Sequence, residues 1–362
     1  MSHHPSIAVV GATGAVGREM LAVLEQRRFP HSSIRLLASP RSAGQKITYR
    51  GEAHLVLPLT AENLRGVDLA LFSAGSGPSK EFAPGLVAAG ASVVDNSSAF
   101  RADPTCHLIV PEVNGGTLAG ALAARAKQGL LCAVPNCSAI IMLVALNPLR
   151  EAFGITRIVV STYQAASGAG AQAMDELRAQ SHEALAGKSP EQLTRRVFPE
   201  PYAFNLFSHN AAVDPATGYN GEELKMISEA RRIWNDPAPG VLISPTCIRV
   251  PTMRAHAESI NVTLRRAATE REVREVLSKG AGVRIVDDRA ANAFPTPLKA
   301  TGGDDVLVGR IRPDIARVHE LHGPAATVTP DTRCDQWSLF VAGDQLRTGA
   351  ALTAVKIAEL LV

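Results

Sequence analysis

Residues 7–17 read IAVVGATGAVG, and this stretch decides how the first half of the chain folds. The apolar residues at its start predict a short buried strand. Gly11, Gly14 and Gly17 follow in the spacing G-x-x-G-x-x-G, and apolar residues at helical spacing come next. A strand, a glycine turn and a helix in this order point backbone N–H groups and a helix N-terminus at a phosphate, as in dinucleotide-binding domains. A tight turn without a ligand is the alternative.

The α/β pattern continues to about residue 138. Near-continuous apolar runs recur, with helical patterns between some of them. Such runs are typical of strands in a parallel sheet that is covered on both faces. The runs lie at residues 34–38, 67–72, 91–95, 107–110 and 130–134. Residues 1–138 are therefore predicted to form a Rossmann-like, doubly wound domain.

The second half of the chain follows another pattern. Helices are predicted at 140–153 and 171–185, and residues 188–220 carry prolines and aromatics with little periodicity. Strands then recur without regular helical crossovers, which predicts an α+β mixed-sheet domain over residues 139–342. The last residues, 343–362, are predicted to include an apolar helix that returns to the first domain and completes it.

The composition excludes several classes of protein. Lys and Arg number 37 against 34 Asp and Glu, and the formal net charge of +3 is too even for a nucleic-acid-binding protein. No apolar run approaches the ~18 residues of a membrane-spanning helix, and the polar N-terminus shows no secretory signal. The five cysteines fit no metal-binding spacing. We therefore expect no metal site, and reduced thiols in the cytoplasm.

The segment after the second predicted strand indicates which dinucleotide binds. It includes Ser39, Arg41 and Ser42 and has no carboxylate for a ribose 2′-hydroxyl. A guanidinium binds phosphate bidentately, and the two serines supply hydroxyl groups. These residues favour NADP over NAD. The alternative is that Arg41 is a solvated loop residue.

Cys137 follows a predicted strand and lies at the first turn of an apolar helix, in the segment Pro135-Asn136-Cys137-Ser138. A helix N-terminus lowers the pKa of a thiol and favours the nucleophilic thiolate. Beside a dinucleotide site, such a cysteine suggests aldehyde oxidation through a thiohemiacetal and a thioester. The motif alone is weak evidence, because most cysteines are structural.

Taken together, these motifs resemble the aspartate-semialdehyde dehydrogenase family over nearly the whole chain. Their order and spacing are more specific than any one motif. The matching segments are residues 11–17, 39–44, 73–75, 96–101, 135–138, 163–168, 222–225, 249–251 with His256, and 344–359. The resemblance implies that the second domain carries both catalysis and dimerisation.

The resemblance implies three catalytic residues. Cys137 is expected to be the nucleophile that attacks the aldehyde carbon. His256 is expected to be the general base, a role that suits an imidazole near neutral pH. Gln164 is expected to orient the reacting carbonyl and the thioester.

It also implies residues that bind the substrate and phosphate. Arg249 is expected to clamp the substrate α-carboxylate, and Glu222 to pair with the substrate ammonium. Lys225 lies three residues after Glu222 on the same helix face, and with Arg101 it is expected to hold inorganic phosphate. A plain solvated ion pair is the alternative for Glu222 and Lys225.

The cofactor is expected to contact both domains. Small residues at 167 and 168 permit a close approach of the backbone to the cofactor. The expected cofactor residues are Gly11, Thr13, Gly14, Ala15, Val16, Ser39, Arg41, Ser42, Ser73, Ser167, Gly168 and Gln345. Gln345 departs from the family, which usually has Asn there, and Ser208 stands where the family usually has Pro before a His.

The implied function is NADP-dependent, reversible reductive dephosphorylation of L-4-aspartyl phosphate to L-aspartate 4-semialdehyde, in lysine, threonine and methionine biosynthesis. A homodimer is expected, with a dimer of dimers as the alternative. Two other functions stay open. One is an N-acetyl-glutamyl-phosphate reductase, whose acetylated substrate offers no ammonium to Glu222. The other is a non-catalytic paralogue that acts as a binding subunit, which should lack Cys137 or His256.

The Arg41→Ala substitution tests the cofactor preference. We expect it to weaken NADP binding by about 10-fold or more, because a charge-assisted hydrogen bond to the 2′-phosphate is lost. NAD binding should change little, since NAD has no such phosphate. Titration of both cofactors against the wild type and the variant measures this, and equal losses for the two would show that Arg41 does not discriminate between them.

Overall fold

The computed structural model describes residues 4–125, 128–236 and 240–362. The chain divides into two compact units. The first runs to Asn136 and is completed by Gly349–Val362, and the second is Cys137–Thr348. The sequence-based boundaries were 138/139 and 342/343, whereas these units place Cys137, Ser138 and residues 343–348 in the second one.

A sheet of eight strands, counted over the described residues, forms the centre of the first unit. Its strands are β1 (Ser6–Val10), β2 (Ser33–Ala38), β3 (Lys46–Tyr49), β4 (Glu52–Pro58), β5 (Leu69–Phe72), β6 (Ser92–Asp95), β7 (His107–Leu108) and β8 (Leu131–Ala133). The strand order is β3-β4-β2-β1-β5-β6-β8-β7, and only the β3–β4 pair is antiparallel. This confirms the doubly wound fold, although the β3–β4 hairpin was not predicted.

Helices flank this sheet. They are α1 (Ala15–Gln26), α2 (Ser76–Ala88), α3 (Pro111–Asn114), α4 (Thr117–Ala124) and, from the end of the chain, α11 (Leu352–Leu361). Glu359 of α11 forms an ion pair with Arg27 at 2.6 Å, and Lys356 forms one with Glu112 of α3 at 2.5 Å. The prediction that the C-terminal helix returns to the first domain is therefore confirmed.

The glycine turn between β1 and α1 is tight, and the packing explains why. Gly11 has φ +87°, and a Cβ atom there would lie 2.7 Å from the carbonyl oxygen of Ser73. A Cβ at Gly17 would lie 2.1 Å from the carbonyl oxygen of Gly11. Gly11 is required by its φ, which L side chains rarely adopt, as well as by its contact, and Gly17 is required by its contact alone, because real Cβ atoms essentially never approach so closely. The turn thus brings the start of α1 close to the end of β1.

The second unit is built on a mixed sheet of seven strands, again counted over the described residues. The strands are β9 (Ile155–Gln164), β10 (Phe207–Ser208), β11 (Leu242–Arg249), β12 (His256–Ala268), β13 (Val283–Ile285), β14 (Val306–Pro313) and β15 (Cys334–Gly343). The order is β10-β11-β9-β12-β15-β14-β13. The β11–β9 and β13–β14 pairs are parallel and the others are antiparallel, which confirms the predicted mixed sheet.

The helices of this unit are α5 (Cys137–Phe153), α6 (Ala171–Leu185), α7 (Gly221–Ile233), α8 (Glu270–Ser278), α9 (Pro297–Ala300) and α10 (Ile315–His322). Residues 138–147 of α5 are all buried, where the helix packs on β12 and β15. The predicted helix 171–185 matches α6, whereas α10 was not predicted. Among the helices of the described ranges, none combines the length and the apolar character that crossing a bilayer demands.

Candidate active site

Cys137 is the first residue of α5, and it is partly exposed. All five cysteines lie in the described ranges, and the other four are buried. Burial raises the pKa of the Cys132 and Cys247 thiols far above the usual value, so these thiols stay protonated. Cys137 is therefore the thiol best placed for nucleophilic chemistry, since a helix N-terminus favours a thiolate.

Three neighbouring strands bring Gln164, Arg249 and His256 together. Gln164 ends β9 and lies opposite Arg249, which ends β11. His256 begins β12, and the residue after it, Ala257, lies opposite Tyr163 of β9. Because side chains alternate along a strand, this register places the three predicted residues on the same face of the sheet.

Gln164 connects this face with α5 and α7. Its Nε2 donates to Ser138 Oγ at 2.8 Å and to Glu222 Oε1 at 3.4 Å. Ser138 is the neighbour of Cys137, so the amide lies at the N-terminal turn that carries the thiol. An amide at this position is suited to hold the oxygen of a carbonyl or a thioester bound to Cys137.

His256 is fully buried, and one hydrogen bond determines its tautomer. The backbone N–H of Ala165 donates to Nδ1 at 3.0 Å, so a neutral ring carries its proton on Nε2. Burial, with a smaller effect of the Arg249 charge, lowers the pKa of His256 to about 3, which keeps the ring neutral near pH 7. Nε2 has no hydrogen-bond partner among the described residues. The ring thus offers a hydrogen-bond donor to the site.

Gly168 lies against two of these residues. A Cβ atom at Gly168 would lie 2.8 Å from Cε1 and 2.9 Å from Nε2 of His256, and 3.2 Å from Nη1 of Arg249. The missing side chain therefore lets the imidazole and the guanidinium approach the backbone. Gly168 was predicted at the cofactor, and the structure places it beside the predicted catalytic ring.

Arg249 is buried, and groups from several segments surround its guanidinium. Nε donates to Asn210 Oδ1 and Nη1 donates to the carbonyl oxygen of Ala165, both at 3.2 Å. Nη2 lies 2.8 Å from Nε2 of His209. The ring of Phe198 lies 5.7 Å from the guanidinium carbon. These contacts hold a planar, doubly donating group of the kind that binds a carboxylate.

The irregular segment 188–220 supplies much of this surrounding, and side chains of α6 hold it in place. Glu176 accepts hydrogen bonds from three consecutive backbone N–H groups that end at Phe198. Gln180 Oε1 accepts from the backbone N–H of Tyr202 at 2.6 Å. The rings of Phe198, Tyr202 and Phe207 pack edge to face, with centroids 4.9 to 5.6 Å apart. Buried side chains thus replace the regular backbone pairing that this segment lacks.

Glu222 and Lys225 lie at the start of α7. The Asn220 side chain caps the helix and accepts from the backbone N–H of Glu222 at 3.0 Å. Glu222 Oε2 lies 3.5 Å from Lys225 Nζ, but the Glu222 side chain is only 9% exposed against 41% for Lys225. In a plain solvated pair both side chains would be exposed, so the buried carboxylate favours a role in the site.

Arg101 lies in the first unit, at the carboxyl ends of two neighbouring strands. Its Nε donates to the carbonyl oxygen of Val134, which follows β8, at 2.9 Å. Its Nη2 donates to the carbonyl oxygen of Asn96, which follows β6, at 3.0 Å. Arg101 therefore holds two loops at this edge of the sheet, and its predicted contact with phosphate stays a prediction.

The predicted cofactor residues of the first unit share the same edge of the sheet. They follow β1 (Gly11, Thr13, Gly14, Ala15 and Val16), β2 (Ser39, Arg41 and Ser42) and β5 (Ser73). These three strands are neighbours in the order β2-β1-β5. Arg41 is exposed in a short turn after β2. The turn that carries Ser39, Arg41 and Ser42 thus follows the strand next to the one that precedes the glycine turn, and its contact with the cofactor stays a prediction.

Ser167 and Gln345 contact each other in the second unit. Gln345 Nε2 donates to Ser167 Oγ, and Gln345 Oε1 accepts from the backbone N–H of Ala255 at 2.8 Å. All three residues are buried. The longer side chain at position 345 thus has protein partners for both ends of its amide. A contact of this amide with the cofactor stays a prediction.

The second unit therefore assembles the residues predicted for chemistry and substrate binding, except Arg101. Cys137 and Glu222 both lie close enough to Arg249 to oppose the lowering of its pKa by burial. Sequence reasoning missed Phe198, His209 and Asn210 as neighbours of Arg249. For His209 a signal was available in the sequence, because the family usually has a His at this position, after the residue that Ser208 replaces.

Two family models match the chain. The first, described as semialdehyde dehydrogenase, NAD binding domain, matches residues 6–121. The second, described as semialdehyde dehydrogenase, dimerisation domain, matches residues 146–328. An aspartate-semialdehyde dehydrogenase from Synechocystis sp. is 45% identical, over 98% of this chain and 97% of its own. This chain belongs to the aspartate-semialdehyde dehydrogenase family.

Other members of the family support this assignment. The aspartate-semialdehyde dehydrogenase of Aquifex aeolicus is 44% identical over 98% of this chain and 97% of its own. The crystal structure of aspartate semialdehyde dehydrogenase II from Vibrio cholerae, 38% identical, superposes with a TM-score of 0.88 and covers 99% of this chain and 98% of its own. A structure of that enzyme complexed with ASA matches equally well. These relatives support the main prediction and neither alternative.

The tautomer of His256 predicts how the enzyme responds to pH and to substitution. Because the ring stays neutral above its pKa of about 3, we expect no ionisation of His256 in the kcat/KM profile between about pH 5 and 8. His256→Gln, which keeps a side-chain N–H, should retain more activity than His256→Ala, which we expect to lose on the order of 10²-fold. Steady-state rates across pH test both points. A limb near pH 6.5 that disappears in His256→Gln would instead support a general base.

Proposed function

We propose that this chain is an NADP-dependent aspartate-semialdehyde dehydrogenase. It would convert L-4-aspartyl phosphate reversibly into L-aspartate 4-semialdehyde and phosphate through a thioester on Cys137. The observation that carries the proposal is that the one partly exposed thiol among the five cysteines lies at a helix N-terminus next to Ser138, whose hydroxyl accepts from Gln164, the residue paired with the buried Arg249. A carboxylate-binding cation beside a reactive thiol fits an acyl donor that also carries a carboxylate.

The glycine turn fits a dinucleotide. Glycine at positions 11 and 17, where a Cβ atom would collide with neighbouring backbone, lets the turn close tightly, and the N-terminus of α1 that follows it would bind a pyrophosphate. Ser39, Arg41 and Ser42 would hold a ribose 2′-phosphate. When bound, the reduced nicotinamide supplies the hydride that reduces the thioester.

The residues of the second unit divide the remaining work. The Cys137 thiolate attacks the acyl carbon of aspartyl phosphate, the carbon–oxygen bond to phosphate breaks, and phosphate leaves. Gln164 Nε2, released from Glu222 as the substrate ammonium binds that carboxylate, and His256 Nε2–H would donate to the oxygen that becomes negative. After reduction the carbon–sulfur bond breaks, which releases the aldehyde and restores the thiolate. This collapse needs no proton on the oxyanion.

Because the oxyanion needs no proton in this mechanism, His256 does not have to act as an acid or a base. A general base on Nε2 would require the other tautomer, which places an Nδ1–H against the Ala165 N–H that now donates to it. A neutral imidazole that donates from Nε2 polarises a carbonyl without moving a proton, a use of histidine known in other enzymes. We therefore assign His256 as a hydrogen-bond donor to the reacting oxygen.

The substrate is favoured by complementary charges. Arg249 would bind the α-carboxylate and the buried Glu222 would bind the ammonium, which an N-acetylated substrate lacks. Lys225 and Arg101 would compensate the dianionic phosphate.

We also propose a homodimer. The helices α5, α7 and α8 pack on the seven-stranded sheet, and its other face leaves Ser161, Thr246 and Ser259 at least partly exposed. The family model for dimerisation covers residues 146–328, which include β9 to β14.

The proposed function is tested by NADPH formation from L-aspartate 4-semialdehyde, with and without phosphate. We expect turnover only with phosphate, and Cys137→Ala should fall below about a thousandth of the wild-type rate, since losing a nucleophile costs on the order of 10⁶-fold. Cys334→Ala, at a buried thiol of β15, is the matched control and should stay active. Phosphate-independent turnover, or an active Cys137→Ala variant, would contradict the mechanism.

Lys225 and Arg249 should affect different substrates. Lys225→Ala is expected to raise the apparent KM for phosphate by about 10-fold or more, because one of two compensating cations is lost. Arg249→Ala should raise KM for the semialdehyde instead, through loss of a bidentate carboxylate contact. Kinetics with each substrate varied in turn measure both. If the apparent KM for phosphate were unchanged in Lys225→Ala, Glu222 and Lys225 would be an ordinary ion pair with no role in phosphate binding.

A further inference from the structure

Ala255, the residue before His256, has an unusual backbone conformation. Its φ is +70°, in the left-handed region. The Cβ atom of an L residue lies too close to the following carbonyl oxygen there, so glycine is the usual residue and alanine is strained. A strained residue keeps such a conformation only when the surrounding structure holds it. Contacts around Ala255 must therefore fix the backbone from which His256 projects.

The side chain of Gln345 makes such a contact. Its Oε1 accepts from the backbone N–H of Ala255 at 2.8 Å. Gln345 is buried, and its Nε2 donates to Ser167 Oγ, so protein atoms hold both ends of the amide. Rotation about the N–Cα bond of Ala255 would change the angle between this N–H and the strand that begins at His256. The hydrogen bond from Ala255 to Gln345 thus opposes relaxation of the left-handed conformation.

Gln345 also connects Ala255 with the turn that fixes the His256 ring. Ser167, which accepts from Gln345, belongs to the turn that begins at Ala165. The backbone N–H of Ala165 donates to Nδ1 of His256 at 3.0 Å and so determines the tautomer of the ring. One amide therefore bridges the residue that precedes the histidine and the turn that directs its Nε2–H.

Other contacts that hold this region end before Ala255. The backbone N–H of Ser167 donates to the carbonyl oxygen of Met253 at 3.1 Å. Asp344 Oδ2 accepts from Arg254 Nε at 2.8 Å. Both contacts hold the residues before the strained one, whereas the glutamine amide acts on the strained residue itself.

We propose that Gln345 is a positioning residue for His256. It holds Ala255 in the left-handed conformation and Ser167 at its side, which keeps Nδ1 of the ring against Ala165 and directs Nε2–H to the reacting oxygen. This inference rests on the proposed function, in which that N–H donates to the oxygen that becomes negative. It gives Gln345 a role distinct from its predicted contact with the cofactor, and substitutions separate the two roles.

The first experiment asks whether Gln345 acts through the ring. Gln345→Leu removes the acceptor at about the same volume. We expect it to lower kcat/KM for the semialdehyde by about 10-fold or more, because small displacements of a catalytic group are costly, and to change the Kd of NADP by less than about twofold. In the His256→Ala background, Gln345→Leu should change kcat/KM by less than about twofold, since no ring is left to position.

Two results of this experiment would overturn the proposal. One is an equal loss of kcat/KM in the wild-type and His256→Ala backgrounds, which would show that Gln345 acts independently of the ring. The other is a loss that appears only as weaker NADP binding. Gln345→Met also lacks the acceptor and replaces Gln345→Leu if the leucine variant does not fold, as judged by circular dichroism and thermal unfolding.

The second experiment is a rescue. Glycine adopts a φ of +70° without strain, so Ala255→Gly should make the backbone before His256 less dependent on Gln345. In the Ala255→Gly background, Gln345→Leu should lower kcat/KM by less than about threefold. An undiminished loss would overturn the proposal, because a glycine at position 255 cannot replace a contact of Gln345 with the cofactor.

Gln336→Leu is the matched control. Gln336 is another glutamine of the same segment, in β15, and its Nε2 donates to Asn261 Oδ1 at 2.6 Å. Asn261 lies five residues after His256 along β12. We expect Gln336→Leu to keep kcat/KM within about twofold of the wild type. A loss as large as that of Gln345→Leu would indicate a general structural effect and would overturn the proposal.

A crystal structure of Gln345→Leu needs no turnover. We expect Ala255 to leave the left-handed region, and Nδ1 of His256 to move beyond the ~3.2 Å range of a hydrogen bond from Ala165. An unchanged ring would overturn the positioning role, whatever the enzyme turns over. If the wild type does not oxidise the semialdehyde but the ring is displaced in Gln345→Leu, the proposed function fails and the positioning role stands.

Discussion

The burial of the Arg249 guanidinium is the constraint on which the second unit depends. A charged group removed from water costs several kcal/mol unless its N–H groups find acceptors and its charge is compensated. Two segments far apart in the chain supply acceptors. The turn after β9 supplies the Ala165 carbonyl, and the irregular segment 188–220 between α6 and α7 supplies Asn210. The irregular segment 188–220 therefore contributes directly to the site.

The conformation of the irregular segment 188–220 in turn depends on side chains of α6. Glu176 and Gln180 lie one helical turn apart on the same face, and both accept backbone N–H groups of this segment. Where this segment forms neither strand nor helix, its buried N–H groups still need acceptors, and here a buried carboxylate and an amide supply them. Among the aromatic rings that this arrangement brings together, that of Phe198 lies 5.7 Å from the guanidinium carbon of Arg249.

Burial has the same effect on two histidines of the site. It is the main cause that lowers the pKa of both His209 and His256, and Arg249 adds to it in each case. The Nδ1 of His256 accepts a backbone N–H, so its neutral ring carries its proton on Nε2. Nε2 of His209 instead lies 2.8 Å from Nη2 of Arg249, which can only donate, and accepts from it. The site thus combines hydrogen-bond donors with the buried carboxylate of Glu222, which suits a substrate with a carboxylate, an ammonium and a carbonyl oxygen that becomes negative.

Local sequence patterns were sufficient to predict the doubly wound sheet and several helices. The strand, glycine turn and helix at residues 7–17 predicted the doubly wound sheet, because a tight βα turn needs glycine at fixed positions and the strand needs an apolar run. Periodicity also predicted α6 over its full length. The β3–β4 hairpin was missed: its two-residue turn at Arg50 and Gly51 joins short strands with polar residues, which resemble a loop.

Some features of the site were predictable from the sequence, and others were visible only in the structure. Cys137 was recognisable because its helix N-terminus is a local feature, and family resemblance supplied Gln164, Arg249 and His256. Only the tertiary structure decided what surrounds them. The Ala165 N–H that fixes the His256 tautomer is 91 residues away in sequence, and His209 is 40 residues from Arg249. The hydrogen bond that fixes which ring nitrogen carries the proton depends on a contact between residues that are far apart in the chain. Local sequence patterns do not contain that information.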